Sequence, residues 1–279
     1  MKPKQVSDTW EQGDSYERYI GRWSRKIAPL FLSWFNDQPG QRWLDVGCGT
    51  GALCDAIVKH CSPRLVVGLD PSLGFLRAAA RHLAGQVAFF QSTGIAIALG
   101  PQSVDAVVSG LALNFIPDPR SALLDMASVS HLGGTIGAYV WDYASKMEPI
   151  RFLWDAAAEI DPNAARLDEG VRFPVCQPDA LSELFASVGL QEVKVEAIDL
   201  QTTFVNFEDY WQPILGGQGP APAYVMAMND DQRTRLRDRL FARMPIQADG
   251  SIRLIARAWA VRGRIVSRIP LKITTSTDT

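Results

Sequence analysis

The run Trp43-Leu44-Asp45-Val46-Gly47-Cys48-Gly49-Thr50-Gly51 constrains this chain more than any other stretch. A short apolar strand, Arg42 to Val46, runs into three glycines at alternate positions. A segment with apolar residues at helical spacing, through Ala52, Ile57 and Val58, follows at once. The pattern predicts strand, tight turn and helix. Glycine accepts the backbone angles of such a turn and lets a ligand come within contact distance of the main chain. The helix start adds unpaired N–H groups. A second strand, Leu65 to Leu69, ends at Asp70, close to the spacing at which a carboxylate past the glycines holds a ribose diol.

The same rhythm continues downstream. Ser72 to Leu83 reads as helix, Val87 to Phe90 as a third strand and Val104 to Ser109 as a fourth. A helix from about Pro119 to Ser130 is expected to stop at His131-Leu132-Gly133-Gly134, and Thr135 to Val140 forms a fifth strand. Strands alternating with helices imply an α/β fold of the Rossmann-like, doubly wound kind, with a mostly parallel sheet. Ahead of it, Ser15 to Phe35 carries Tyr16, Ile20, Trp23, Ile27, Leu30, Phe31 and Trp34 on one stripe, with Pro29 predicting a break into two helices. Beyond Tyr143 the spacing predicts helices over Glu148–Asp161 and Pro178–Val188, a loop over 169–174, a strand within Val193–Phe204 and a flexible loop over 216–220. After these come a helix capped by Asn229 with Leu236, Leu240, Phe241 and Met244 inward, and a strand from Ile252 to Val261. The chain therefore divides into an N-terminal helical lid (1–39), a ligand-binding core (40–144), a C-terminal part of the same domain with substrate-side insertions (145–270) and a flexible tail (271–279).

The charge pattern distinguishes the ligand. A dinucleotide site prefers G-x-G-x-x-G with an apolar residue ahead of it. Here the third glycine comes one position early, and Asp45 stands two residues before Gly47. An acid there is badly placed beside a pyrophosphate and well placed for the ammonium of an amino-acid ligand, which points to S-adenosyl-L-methionine. The run Leu44 to Gly51 resembles the first motif of the class I S-adenosylmethionine-dependent methyltransferases, most closely the ubiquinone- and menaquinone-type small-molecule branch. Val67-Gly68-Leu69-Asp70-Pro71-Ser72, Val104 to Ser109 and Leu132-Gly133-Gly134-Thr135 are similar to its later motifs, and the ends of the chain resemble a bacterial subfamily of unassigned substrate. The resemblance implies a seven-stranded sheet with the last strand antiparallel, a helical insertion before that strand, and methyl transfer to a small-molecule acceptor by in-line displacement. The alternative is a protein that binds S-adenosylmethionine without catalysis, as a sensor or inactive subunit.

The expected cofactor-binding residues are Tyr19, Arg22, Asp45, Gly47, Gly49, Gly51, Asp70, Pro71, Thr93, Gly94, Ile95 and Leu111. Tyr19 and Arg22 belong to the lid, where a guanidinium could meet the methionine carboxylate. Relatives usually carry Gly-Asp after the third strand. Here Gln91-Ser92-Thr93-Gly94-Ile95 offers a neutral hydroxyl, so adenine must use Thr93, backbone around Gly94 and Ile95, or water. No catalytic group stands out. Ligands of open α/β sheets sit beyond the strands' carboxyl ends, which points to Leu111 to Asn114 and to Trp141, Asp142 and Tyr143. Asp142 and Tyr143 are the candidates, and the reading favoured for Asp142 is hydrogen bonding to the loop that follows it.

Composition narrows the partners. With net charge −2, 47% hydrophobic and 21% charged residues, nothing global favours nucleic acid or an anionic membrane. No stretch is long and apolar enough to span a bilayer, and the N-terminus lacks an apolar signal core. The cysteines Cys48, Cys54, Cys61 and Cys176 fit no zinc spacing, so no metal is expected, and they read as reduced thiols of a cytoplasmic protein.

Overall fold

The computed structural model describes residues 20–36, 38–216 and 219–267. Seven strands form one sheet: β1 (Arg42–Val46), β2 (Leu65–Asp70), β3 (Ala88–Gln91), β4 (Val104–Gly110), β5 (Ser130–Trp141), β6 (Gln191–Phe204) and β7 (Ile252–Arg264). Their order is β3-β2-β1-β4-β5-β7-β6. The first five run parallel, and β7 lies antiparallel between β5 and β6. The sheet reverses its winding direction between β1 and β4, so the turns after these two strands flank one crevice. β1 is buried along Trp43, Leu44, Asp45 and Val46, as a central parallel strand covered on both faces must be.

Four helices follow strands in the core: α2 (Ala52–His60), α3 (Leu73–His82), α4 (Pro119–Val129) and, after β5, α5 (Glu148–Ile160). Ser72 and Asp118 cap α3 and α4 by accepting backbone N–H groups from Phe75 and Ser121. The Asn229 cap is present as a full capping box on the helix Asp230–Arg243, where Leu236 and Leu240 are buried.

Several local expectations are corrected. Pro29 does not break the N-terminal helix: α1 runs unbroken from Arg22 to Phe35. The N–H that Pro29 lacks would have met the carbonyl of Arg25, an exposed residue open to water. An interior proline costs about 3 kcal/mol. Burying Trp23, Ile27, Phe31 and Phe35, at about 1.5–3 kcal/mol each, outweighs it. Phe31 packs on Tyr139 with ring centroids 4.7 Å apart, and the Trp23 indole donates to Thr202 Oγ1 at 2.8 Å. Leu30, expected inward, is exposed, and so is Phe241 of the last helix. The Gly133-Gly134 pair does not stop α4. That helix ends at Val129, and β5 begins at Ser130 because Ser130 already pairs with Val104. The two glycines sit where the β4–β5 register shifts, and Gly133 donates its N–H to the Ile265 carbonyl. The loop 169–174 contains a short helix, α6 (Glu169–Arg172), capped by Asp168. Two helices were not anticipated: α8 (Phe207–Ile214) and α9 (Pro220–Met226), which follow α7 (Pro178–Ser187) and β6. Residues 217–218 of the expected flexible loop, and the segment 1–19, lie outside the described residues.

The amino-terminal ends of β1 and β4 are tied together by charge. Arg42 Nε and Nη2 donate to the two carboxylate oxygens of Asp105 at 3.0 and 2.8 Å, which holds the Asp105 carboxyl down at about 2. A depressed carboxyl contributes stability that is complete above the unfolded value and disappears as pH falls through the folded one. Asp105→Asn is therefore expected to lower the melting temperature at pH 7, and thermal scans across pH should show the gap to the parent closing as pH approaches about 2.

Candidate functional site

A cavity of about 890 Å3 opens at the carboxyl ends of β1, β2, β4 and β5. The glycine turn forms its floor. Gly47 and Cys48 donate their N–H groups to the Leu69 carbonyl at 2.8 and 2.9 Å, which locks the turn onto the end of β2. Gly47, Gly49 and Gly51 all take positive φ, at 75, 54 and 87°. They do so for different reasons. A Cβ on Gly47 would fall 2.4 Å from that of Ala112, and one on Gly51 would press on Leu83 and Ala79. A Cβ on Gly49 would meet no protein atom within 4 Å. Gly49 borders the cavity, so the space in front of it is open cavity.

Asp70 binds two turns to each other. Its Oδ2 accepts the Gly49 N–H at 2.9 Å and its Oδ1 accepts the Ser72 N–H at 2.8 Å. Each oxygen keeps a lone pair for a hydroxyl. Burial raises this carboxyl, and the two backbone donors partly offset the rise.

Asp45 is fully buried at the end of β1 and also lines the cavity. Cys54 donates its thiol to Asp45 Oδ2 at 3.2 Å, while Oδ1 has no partner. Desolvation pushes the Asp45 carboxyl up to about 7, and the nearby Asp70 charge adds to the rise. An unpaired buried carboxylate oxygen is expensive unless something positive comes to it.

Of the expected ligand residues, Asp45, Gly47, Gly49, Asp70, Pro71, Thr93, Ile95 and Leu111 border this cavity, as does Tyr143. Gly51 and Gly94 are not on its wall, and a Cβ on Gly94 would press on Val46 and Ile116, so neither position has room for a side chain. Thr93 turns its hydroxyl to the Ile95 carbonyl at 3.3 Å. Arg22 pairs with Asp209 at 3.3 Å and lies over the Phe204 ring, and the α1 side of the cavity is formed instead by Ile20 and Ser24. Tyr19 lies outside the described residues. Asp142 is buried away from the cavity wall, where its carboxylate accepts the Lys146 N–H and its carbonyl receives Ser145 and Met147. The sequence reading missed Ile20, Ser24, Phe115, Ile116 and Tyr139 as wall residues. Only Phe115 and Ile116 had a signal to find, as they directly follow the β4 segment singled out by strand-end logic. Among the described residues no cluster of His, Cys, Asp or Glu could hold a metal ion, and no helix is long and apolar enough to cross a membrane.

Comparison with known proteins agrees with this geometry. Residues 44–137 match the family described as a methyltransferase domain. The chain carries a class I, S-adenosylmethionine-dependent methyltransferase domain. It is 29% identical over 181 residues to a demethylmenaquinone methyltransferase of Roseiflexus castenholzii, covering 59% of this chain and 74% of the relative. It is 34% identical over 119 residues to a ubiquinone biosynthesis O-methyltransferase of Albidiferax ferrireducens, covering 40% of this chain and 46% of that one. The fold is shared with the structure of Haemonchus contortus phosphoethanolamine N-methyltransferase 2 in complex with S-adenosyl-L-methionine. There the TM-score is 0.57 at 15% identity, over 95% of this chain and 59% of that one.

The cofactor fits the residues present. Asp45 offers an unsatisfied carboxylate oxygen where an ammonium is needed, Asp70 offers lone pairs for a diol, and Gly49 leaves room for close approach. Two outcomes are expected. Gly49→Val costs on the order of 1–2 kcal/mol of stability from the left-handed backbone, with S-adenosylhomocysteine binding lost by calorimetry. Because Asp45 must be ionised to pair with an ammonium, affinity for S-adenosylhomocysteine rises as pH increases through about 7. Titrations of Asp45→Asn should show weaker binding without that inflection. The raised carboxyl also penalises the empty fold as it ionises, so Asp45→Asn should melt higher than the parent at pH 8.

Proposed function

We propose that the protein transfers the methyl group of S-adenosylmethionine to a small-molecule acceptor by in-line displacement. The observation that carries this reading is the pair of buried carboxylates, Asp45 with an unpartnered oxygen and Asp70 with spare lone pairs, on the wall of one cavity. The two relatives described above, one named for demethylmenaquinone and the other for ubiquinone biosynthesis, support a small acceptor. Bound there, S-adenosylmethionine supplies a methyl group already activated on a sulfonium.

This chain's residues then divide the work among them. Asp45 pairs with the amino-acid ammonium and Asp70 accepts from the ribose hydroxyls. The backbone turn through Thr93, Gly94 and Ile95 serves the adenine edge in place of the usual acid. Around the acceptor, Phe115, Tyr139, Trp141 and Tyr143 form an aromatic wall that excludes water and aligns the reacting atoms, which is most of what a displacement at a methyl group requires. Ile20 and Ser24 on the cavity support the N-terminal segment as its cover. Arg22, bonded to Asp209, fits that cover by fixing α1 to the C-terminal insertion.

S-adenosylhomocysteine is expected to raise the melting temperature by mass action, and NAD to leave it unchanged. Asp70→Ala should lose on the order of 1.5–3 kcal/mol of S-adenosylhomocysteine binding. Stabilisation by NAD alone, or unchanged affinity in a folded Asp70→Ala, would remove the reading.

A further inference from the structure

The buried residues of α2 are Leu53, Cys54, Ala56 and Ile57, which put one face of the helix on the sheet. Cys54 lies in its first turn and is 0% exposed. A free cysteine in such a place is ordinarily a small apolar filler. This one has a polar task, because its thiol donates to Asp45 Oδ2 at 3.2 Å. The carboxylate it serves is fully buried, and the other oxygen, Oδ1, has no partner. Asp45 borders the cavity and Cys54 does not, so the thiol stands behind the acid as seen from the ligand's side. Among the described residues, the ionisable groups facing Asp45 are Cys54 from α2 and Asp70 from β2, and Cys48 of the glycine turn hydrogen-bonds the Cys54 thiol. That bond, burial and the Asp45 charge push the Cys54 thiol well above its ordinary value. It therefore keeps its proton, and stays a donor, throughout the range in which Asp45 titrates.

We propose that Cys54 is a positioning residue for the cofactor, holding Oδ2 of Asp45 so that Oδ1 is the oxygen presented to the ammonium. The inference rests on the pairing of Asp45 with that ammonium and adds to it the group that orients the carboxylate and readies it for the charge. An ionised carboxylate only accepts, and a thiol has one proton to give, so the bond favours the charged form of Asp45. It works against burial and the Asp70 charge, which both raise the Asp45 carboxyl. Without the thiol both oxygens are unpaired, the broad terminal torsion of an aspartate no longer selects one of them, and ionisation waits for a higher pH. The cofactor then meets an acid that is both less often charged and less well aimed.

The test titrates S-adenosylhomocysteine into the whole protein by calorimetry over about pH 5.5 to 8, with Cys54→Ala and Cys54→Ser beside the parent. The control ligand is 5′-methylthioadenosine, which has no ammonium. The inflection in affinity, at about 7 in the parent, should move up by about half to one pH unit in Cys54→Ala. Near pH 6 this amounts to about three- to tenfold weaker binding. Cys54→Ser supplies a stronger donor and should return the inflection to the parent's position or below it. The affinity for 5′-methylthioadenosine should stay within about twofold of the parent in both variants. In the unliganded protein, 13C NMR should show the Asp45 carboxyl, assigned by its loss in Asp45→Asn, titrating later in Cys54→Ala by the same interval. An unmoved inflection in Cys54→Ala, a Cys54→Ser inflection above the parent's, or a loss shared equally by 5′-methylthioadenosine would overturn the role. A parent that binds S-adenosylhomocysteine without any inflection, or an Asp45→Asn variant that binds as tightly as the parent, would instead bring down the ammonium pairing, and the role of Cys54 with it.

Discussion

The Asp70 carboxylate, held between the Gly49 and Ser72 amides, is the constraint on which the site depends. One side chain fastens the turn after β1 to the turn after β2. The Leu69 carbonyl repeats the link one residue earlier through Gly47 and Cys48. Five hydrogen-bonding groups thus set the glycine turn against β2, and the positive φ angles of that turn are stabilised by this frame rather than by the turn itself. The rest of the cavity is referred to it. Asp45 is buried one strand away, and Ala112, at the end of the β4 side, rests against the space Gly47 leaves empty.

Holding two carboxylates in so dry a place is unfavourable for the empty protein. Asp45 bears most of that cost, as the full burial of its carboxyl and the free Oδ1 show. The Cys54 thiol is a weak donor and offsets only part of it. In the proposed reading, binding energy from the cationic end of the ligand includes relief of this burial cost, a form of pre-organisation in which stability is traded for affinity.

Much of this was readable in the chain because strands and helices alternate with clear apolar periods from Arg42 to Trp141, and because the carboxyl-end rule names the residues after each strand. That logic, with the charge argument at Asp45 and the family resemblance for Thr93, places Asp45, Gly47, Gly49, Asp70, Thr93 and Leu111 on one cavity. What could not be read depended on docking. Helical spacing places Arg22 at the cavity, but the rotation of α1 is set by Trp23 against Thr202, Phe31 against Tyr139 and Phe35 against Trp43. That rotation brings Ile20 and Ser24 inward and sends Arg22 to Asp209. In α8, Phe207, Tyr210, Trp211 and Ile214 do fall at helical spacing and are buried, but Pro213 and the glycines after it obscure the period. The Gly133-Gly134 pair looked like a helix stop because strand pairing, which claims Ser130 at once, is invisible locally.

The contact between Trp23 and Thr202 joins residues 179 positions apart. α1 rests on β6 and β7, the last part of the sheet in sequence, and on α2. During synthesis α1 emerges before every strand of the sheet, yet part of the surface it docks on is translated roughly two hundred residues later. The glycine turn and its acids can assemble from local βα units as they appear. The cavity wall closes only when β7 has paired with β5 and β6, an order in which long-range pairing is the slow event. A nascent chain stalled short of β7 would hold the cofactor cradle but not the chamber around it.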